Sequence, residues 1–305
     1  MKDRRGQQNE GFLYSLIGER TQAKTAGLIY TVGALAIFGV SFILMLLIGS
    51  LSLTKEAELY LGYLSSPLAF LLVAVCYFSY TETPVKVFVK EQKCHWKYYL
   101  IAIVLQIGLF GLSEANGYFL QFLEGFGYTP TPVELPALDG FGFVGVLITV
   151  AVLPAIFEEF VFRGVFLRET KEFSLLPRIL ICGGLFALYH QNPAQTVYQF
   201  ICGAAFALMA IKAGSVLPTI LSHFINNGVI ILLFKLGITS FTLTTRIVIL
   251  IVGGVCLTAS LVYLLAFDKQ KEEKRTGNYG QLFACASVGI FMLALSWFAA
   301  FLTGV

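Results

Sequence analysis

The chain has 305 residues, of which 57% are hydrophobic and only 13% charged. A soluble globular domain charges about a quarter of its residues, so this composition excludes the water-soluble, disordered, coiled-coil and nucleic-acid-binding classes and indicates an integral membrane protein. The formal net charge of +3 is too small to suggest a polyanionic partner.

The first stretch, 1–25, is polar and is predicted to be a cytoplasmic N-terminal segment. A cleavable signal peptide would turn apolar sooner and end at small residues. Nine apolar stretches follow, at 27–53, 60–80, 98–113, 141–167, 178–191, 195–211, 214–235, 246–267 and 281–303. A bilayer core of about 30 Å takes roughly 20 helical residues to cross. The expected fold is therefore all-α: a polytopic transmembrane helical bundle of eight to nine spans enclosing an intramembrane cavity. Two stretches, 178–191 and 195–211, are short and are separated by the turn residues Asn192 and Pro193. The organisation reads as N-terminal helices with an acidic outer loop over 26–139, a central core over 140–235 and a C-terminal helical pair over 236–305.

Charge placement gives an orientation. With the N-terminus inside, eighteen of the 21 Lys and Arg residues fall on inner segments, and only Lys55, Lys235 and Arg246 fall outside. That is the direction the positive-inside rule expects, for a multi-pass protein of the cell membrane with a cytoplasmic N-terminus. The outer loop 114–140 carries Glu114, Glu124, Glu134 and Asp139 and no basic residue. Pro130, Pro132 and Pro136 make it irregular; it is either a solvated loop or a lid. The six cysteines have no paired spacing and read as small packing residues.

Ionisable side chains inside spans are costly and mark function by default. Here they gather in one third of the chain: Glu158, Glu159 and Arg163 in AIFEEFVFRG, His190 in FALYHQNP, and His223 with Asn227 in LSHFINN. At 1.5 Å per residue, Glu158 lies about 15 Å in from Arg168, His190 about 18 Å in from Arg178 and His223 about 16 Å in from Lys212. Three helices thus bring a carboxylate and two imidazoles to one depth. Glu159 and Arg163 are spaced i,i+4 with Glu first, the favoured order for a helical ion pair. Glu158 is turned about 100° away and has no such helical partner, which leaves it free to act as a general base. His190 can hold a water against Glu158 or steer a proton. His223 and Asn227 share a helical face and can stabilise a developing oxyanion. Read singly, the ion pair can be structural, His190 a satisfied bundle histidine, and the His223–Asn227 face an interhelical contact.

Glu158-Glu159-x-x-x-Arg163, Phe186-x-x-x-His190 and His223-x-x-x-Asn227, in that order on predicted spans, resemble the three motifs of the CAAX protease and bacteriocin-processing (CPBP) superfamily. That superfamily includes the Ras-converting type of prenyl endopeptidase. The resemblance covers about 140–235 and implies an intramembrane endopeptidase whose cavity opens to the cytoplasmic side. It implies that Glu158 and His190 activate a water, that His223 and Asn227 form the oxyanion site, and that Glu159 and Arg163 orient the motif. No cofactor is required on this reading. The alternative is zinc held by Glu158, His190 and His223 as a His2Glu set, although no HExxH motif is present. The implied partners are the lipid bilayer and a membrane-embedded or lipid-associated peptide substrate, with no nucleic acid. Two competing readings remain. One is a non-catalytic scaffold or bacteriocin-immunity protein that binds a partner membrane protein or peptide. The other is a transporter with a proton relay, which predicts broken-helix repeats not found in the sequence.

Overall fold

A computed structural model describes residues 20–90, 93–268 and 275–303. Most of the predicted 1–25 segment and of the charged loop Lys269–Arg275 lie outside the described residues. The described residues form helices with no strand among them. The main helices are α1 (Gln22–Ser50), α2 (Lys55–Thr81), the short α3 (Val85–Lys90), α4 (Lys97–Glu124) and α5 (Gly140–Glu169). There follow α6 (Leu175–Tyr189), α7 (Thr196–Ala213), α8 (Leu217–Lys235), α9 (Leu243–Phe267) and α10 (Tyr279–Thr303). Among the described residues, eight helices are long and apolar enough to cross a bilayer, and α6 is a shorter apolar one. The protein is a multi-pass membrane protein with the predicted bundle fold. The largest departure from the predicted spans is α4, which runs on through Ser113, Glu114 and Asn116 to Glu124. These polar residues are tolerated because α4 has partners for them: Glu114 pairs with Arg246 at 2.5 Å, and Asn116 donates to the Ala194 carbonyl.

Contacts between connecting segments show which ends lie together. Arg20 approaches Glu169 and stacks over Tyr80. Lys97 and Tyr98 reach the Asp268 carboxylate, and Lys212 donates to the Asp268 carbonyl. Arg275 donates to the Lys171 carbonyl. One end of the bundle thus carries the start of α1 and the basic turns. At the other end Lys55 pairs with Glu134, Tyr63 donates to the Glu134 carbonyl and Lys235 donates to the Leu138 carbonyl. This alternation holds only if α6 and α7 also run in opposite directions, as a hairpin within the bundle.

Small residues bring the helices close, as they must where lipid gives no hydrophobic drive to associate. A Cβ on Gly111 of α4 would lie 2.9 Å from the Gly253 Cα of α9, and one on Gly183 of α6 would lie 2.9 Å from Ala204 N of α7. Breaks in the helices come from proline. Pro67 cannot give an N–H to the carbonyl of Tyr63, and α2 is interrupted there at Leu64. Pro154 likewise leaves the Val150 carbonyl without its α-helical donor. α5 widens into π-helical turns at Leu147–Val152 and Phe160–Phe166, on either side of the α-helical stretch Leu153–Glu159. π-turns inside α-helices often accompany functional sites, and this stretch carries both glutamates.

Candidate functional site

Glu159 is the centre of the buried polar cluster. Its side chain is fully buried, and Oε1 accepts from Arg163 Nη1 at 2.9 Å and from His223 Nδ1 at 3.0 Å. Arg163, also fully buried, donates from Nη2 to the Gly203 carbonyl at 3.2 Å and lies 4.1 Å from the centre of the Phe186 ring. A buried pair of this kind mainly offsets its own desolvation; its use here is positional. Holding Nδ1 of His223 on a carboxylate fixes the ring's orientation and leaves Nε2 to face the next group. That group is Glu158, whose Oε2 lies 4.0 Å from His223 Nε2.

Glu158 has no partner on its own helix, as its spacing predicts. It does have one from α2: Ser66 Oγ donates to Oε1 at 3.2 Å. His190 ends α6, where Gln191 takes a left-handed φ of 52° and stops the helix. Its Nδ1 donates to the Phe186 carbonyl at 2.8 Å, so the neutral ring keeps an acceptor at Nε2. The turn after it is held by Asn192, which caps Ala194, by Asn116, and by Trp297, whose indole donates to Thr196 Oγ1 at 2.8 Å.

Glu158, His190, His223 and Asn227 all line one cavity of about 440 Å³. Glu159 and Arg163 lie behind its wall. Four side chains picked out from three separate helices therefore meet one space. Asn227 is partly turned away from it: its Nδ2 donates to the Val150 carbonyl at 2.9 Å. Sequence reading did not single out Ser66, Gln106, Tyr198 or Asn226. Tyr198 and Asn226 also line the cavity, and Asn226 accepts from Gln106 and Tyr198. Gln106 was legible as an amide inside an apolar span, and Ser66 only through the helix break that Pro67 forces.

The cavity runs toward one end of the bundle. Its lining reaches Gly62, Tyr63, Val133, Leu135 and Phe234, at the end that carries the 125–139 segment and opposite the basic turns. Toward the basic end, aromatic packing fills the space: Phe160 against Phe78 and Phe88, and Phe162 against Phe70 and Phe186.

The two imidazoles each have one nitrogen held by a carboxylate or carbonyl, as ligating histidines do. Yet among the described residues no group of three His, Cys, Asp or Glu side chains is placed to hold a metal ion.

Residues 140–229, from α5 through most of α8, match the family described as type II CAAX prenyl endopeptidase, Rce1-like. The match bears out the resemblance to the CAAX protease superfamily over this segment. No curated protein and no solved structure matches the chain.

Proposed function

We propose that this protein is an intramembrane endopeptidase that hydrolyses a peptide bond in a membrane-associated peptide or protein. The observation that carries the reading is the meeting of Glu158, His190, His223 and Asn227 on one cavity within the bundle. A water held between the Glu158 carboxylate and His190 Nε2 gives its proton to Glu158 as its oxygen bonds to the substrate carbonyl carbon. The carbonyl π electrons move onto oxygen. His223, held at Nδ1 by Glu159, faces that oxyanion through Nε2, with Asn227 beside it. Collapse of the tetrahedral intermediate breaks the C–N bond, and the leaving nitrogen takes the proton from Glu158. Every step uses this chain's own side chains, and no step is routed through a metal.

The charge distribution supports a cytoplasmic N-terminus in the cell membrane, because the basic turns share one end of the bundle with the start of α1. The partners on this reading are the bilayer and a peptide lying in it.

The test compares membranes carrying wild type with membranes carrying Glu158→Gln, by mass spectrometry of protein N-termini. New N-termini present only with wild type are the expected result. The same set in both, with the variant expressed at equal level, overturns the proposal and favours a scaffold.

A further inference from the structure

The amides beside the site form a chain of hydrogen bonds whose direction is fixed at one end. Val150 offers a carbonyl, which can only accept, and Pro154 denies it the usual helical donor. The atom of Asn227 that meets it at 2.9 Å is therefore Nδ2. Asn227 then turns Oδ1 toward Asn226, so the facing atom of Asn226, at 3.0 Å, is its own Nδ2. That leaves Asn226 Oδ1 for the two groups on its far side. Both must donate: Gln106 Nε2 at 3.0 Å and the Tyr198 hydroxyl at 2.9 Å. Gln106 is fully buried on α4, outside the 140–229 segment. An amide nitrogen has two hydrogens. In this chain Asn226 and Asn227 each spend one, and both residues line the cavity.

We propose that Asn226 Nδ2, together with Asn227 Nδ2, donates to the substrate's peptide carbonyl, and that Gln106 and Tyr198 are positioning residues that hold the amide pair in this sense. The inference rests on the hydrolase reading above and deepens it. Removing the Gln106 donor leaves Asn226 Oδ1 with the Tyr198 hydroxyl alone, so the amide is held less firmly in the orientation that aims its second hydrogen at the cavity.

The experiment uses the full-length protein in detergent with a pool of internally quenched apolar peptides as probe. The variants are Gln106→Met, Tyr198→Phe, Asn226→Ala, the double variant Gln106→Met/Asn226→Ala, and Glu158→Gln. The expected result for Asn226→Ala and Gln106→Met is a loss in kcat of up to about a hundredfold, the scale of removing one oxyanion donor. KM stays within about twofold, because the lost interaction belongs to the transition state. The double variant is no worse than Asn226→Ala alone, since Gln106 acts through Asn226. Tyr198→Phe, which removes only a hydroxyl, gives a smaller loss of the same kind and covers the case in which Gln106→Met does not fold. Full kcat in Asn226→Ala overturns the inference. So do losses that multiply in the double variant, or losses confined to KM. Cleavage that survives Glu158→Gln, or a pool that wild type leaves intact, breaks the hydrolase reading and takes this inference with it. Cleavage lost in Glu158→Gln but intact in Asn226→Ala breaks this inference alone.

Discussion

His223 donates from Nδ1 to Glu159 at 3.0 Å, and the same ring presents Nε2 to Glu158 at 4.0 Å. Neighbouring glutamates on α5 thus bracket one imidazole on α8. The first faces the cavity, and the second fixes the ring from behind.

This relationship predicts different failures for the two glutamates. Glu159→Ala leaves the Arg163 charge buried without its partner, which costs about 3–5 kcal/mol. Replacing both Glu159 and Arg163 with apolar residues of similar volume is less destabilising than either single change. Thermal unfolding in detergent checks both statements. A double variant less stable than Glu159→Ala would show that the pair adds stability rather than offsetting its own burial.

Ser66 gives a second prediction. Its hydroxyl orients the Glu158 carboxylate from a helix outside the matched segment. Ser66→Ala should lower kcat about tenfold, less than the roughly hundredfold or more that general-base catalysis itself contributes, with little change in unfolding temperature. Ser66→Thr, which keeps the hydroxyl, should recover most of that loss. Equal activity in the alanine and threonine variants would remove Ser66 from the site.

Adjacent glycines on α6 offer a matched pair. A Cβ on Gly183 would lie 2.8 Å from the Phe200 carbonyl oxygen, whereas one on Gly184 meets nothing within 4 Å. Gly183→Ala forces α6 from α7 and should cost about 1–3 kcal/mol. It also displaces His190, so activity falls with stability. Gly184→Ala should be neutral or slightly stabilising. Unfolding temperatures of the two variants, measured side by side, decide this.

Metal dependence is tested by chelation. Cleavage by the purified protein is expected to continue after treatment with a zinc chelator and dialysis. Loss of activity that added zinc restores would instead make Glu158, His190 and His223 ligands.

The sequence carried the bundle and its central polar residues because the physics involved is local or nearly so. Twenty apolar residues must cross as a helix, and an ionisable group among them needs a reason. The i,i+4 pairing of Glu159 with Arg163 was legible for the same reason, and it is present at 2.9 Å. What could not be read was tertiary. Ser66 meets Glu158 across 92 positions and Gln106 meets Asn226 across 120, and no spacing rule joins residues so far apart. The end toward which the cavity runs also depends on packing, because the aromatic side chains around Phe160 and Phe162 fill the other side.

The grip of Trp297 on Thr196 sets an order of events during biosynthesis. The glutamates, histidines and asparagines all leave the ribosome before α10 does. Until α10 arrives, the turn that ends at Thr196 lacks one of its anchors, so the half-made protein carries its reactive groups without a finished workplace. A chain stopped before Tyr279 should therefore insert into the membrane yet expose the 190–196 turn to thiol labelling at an introduced cysteine, and equal labelling of the stopped and full-length chains would contradict this. On the proposed hydrolase reading, competence to cut is among the last properties the molecule acquires.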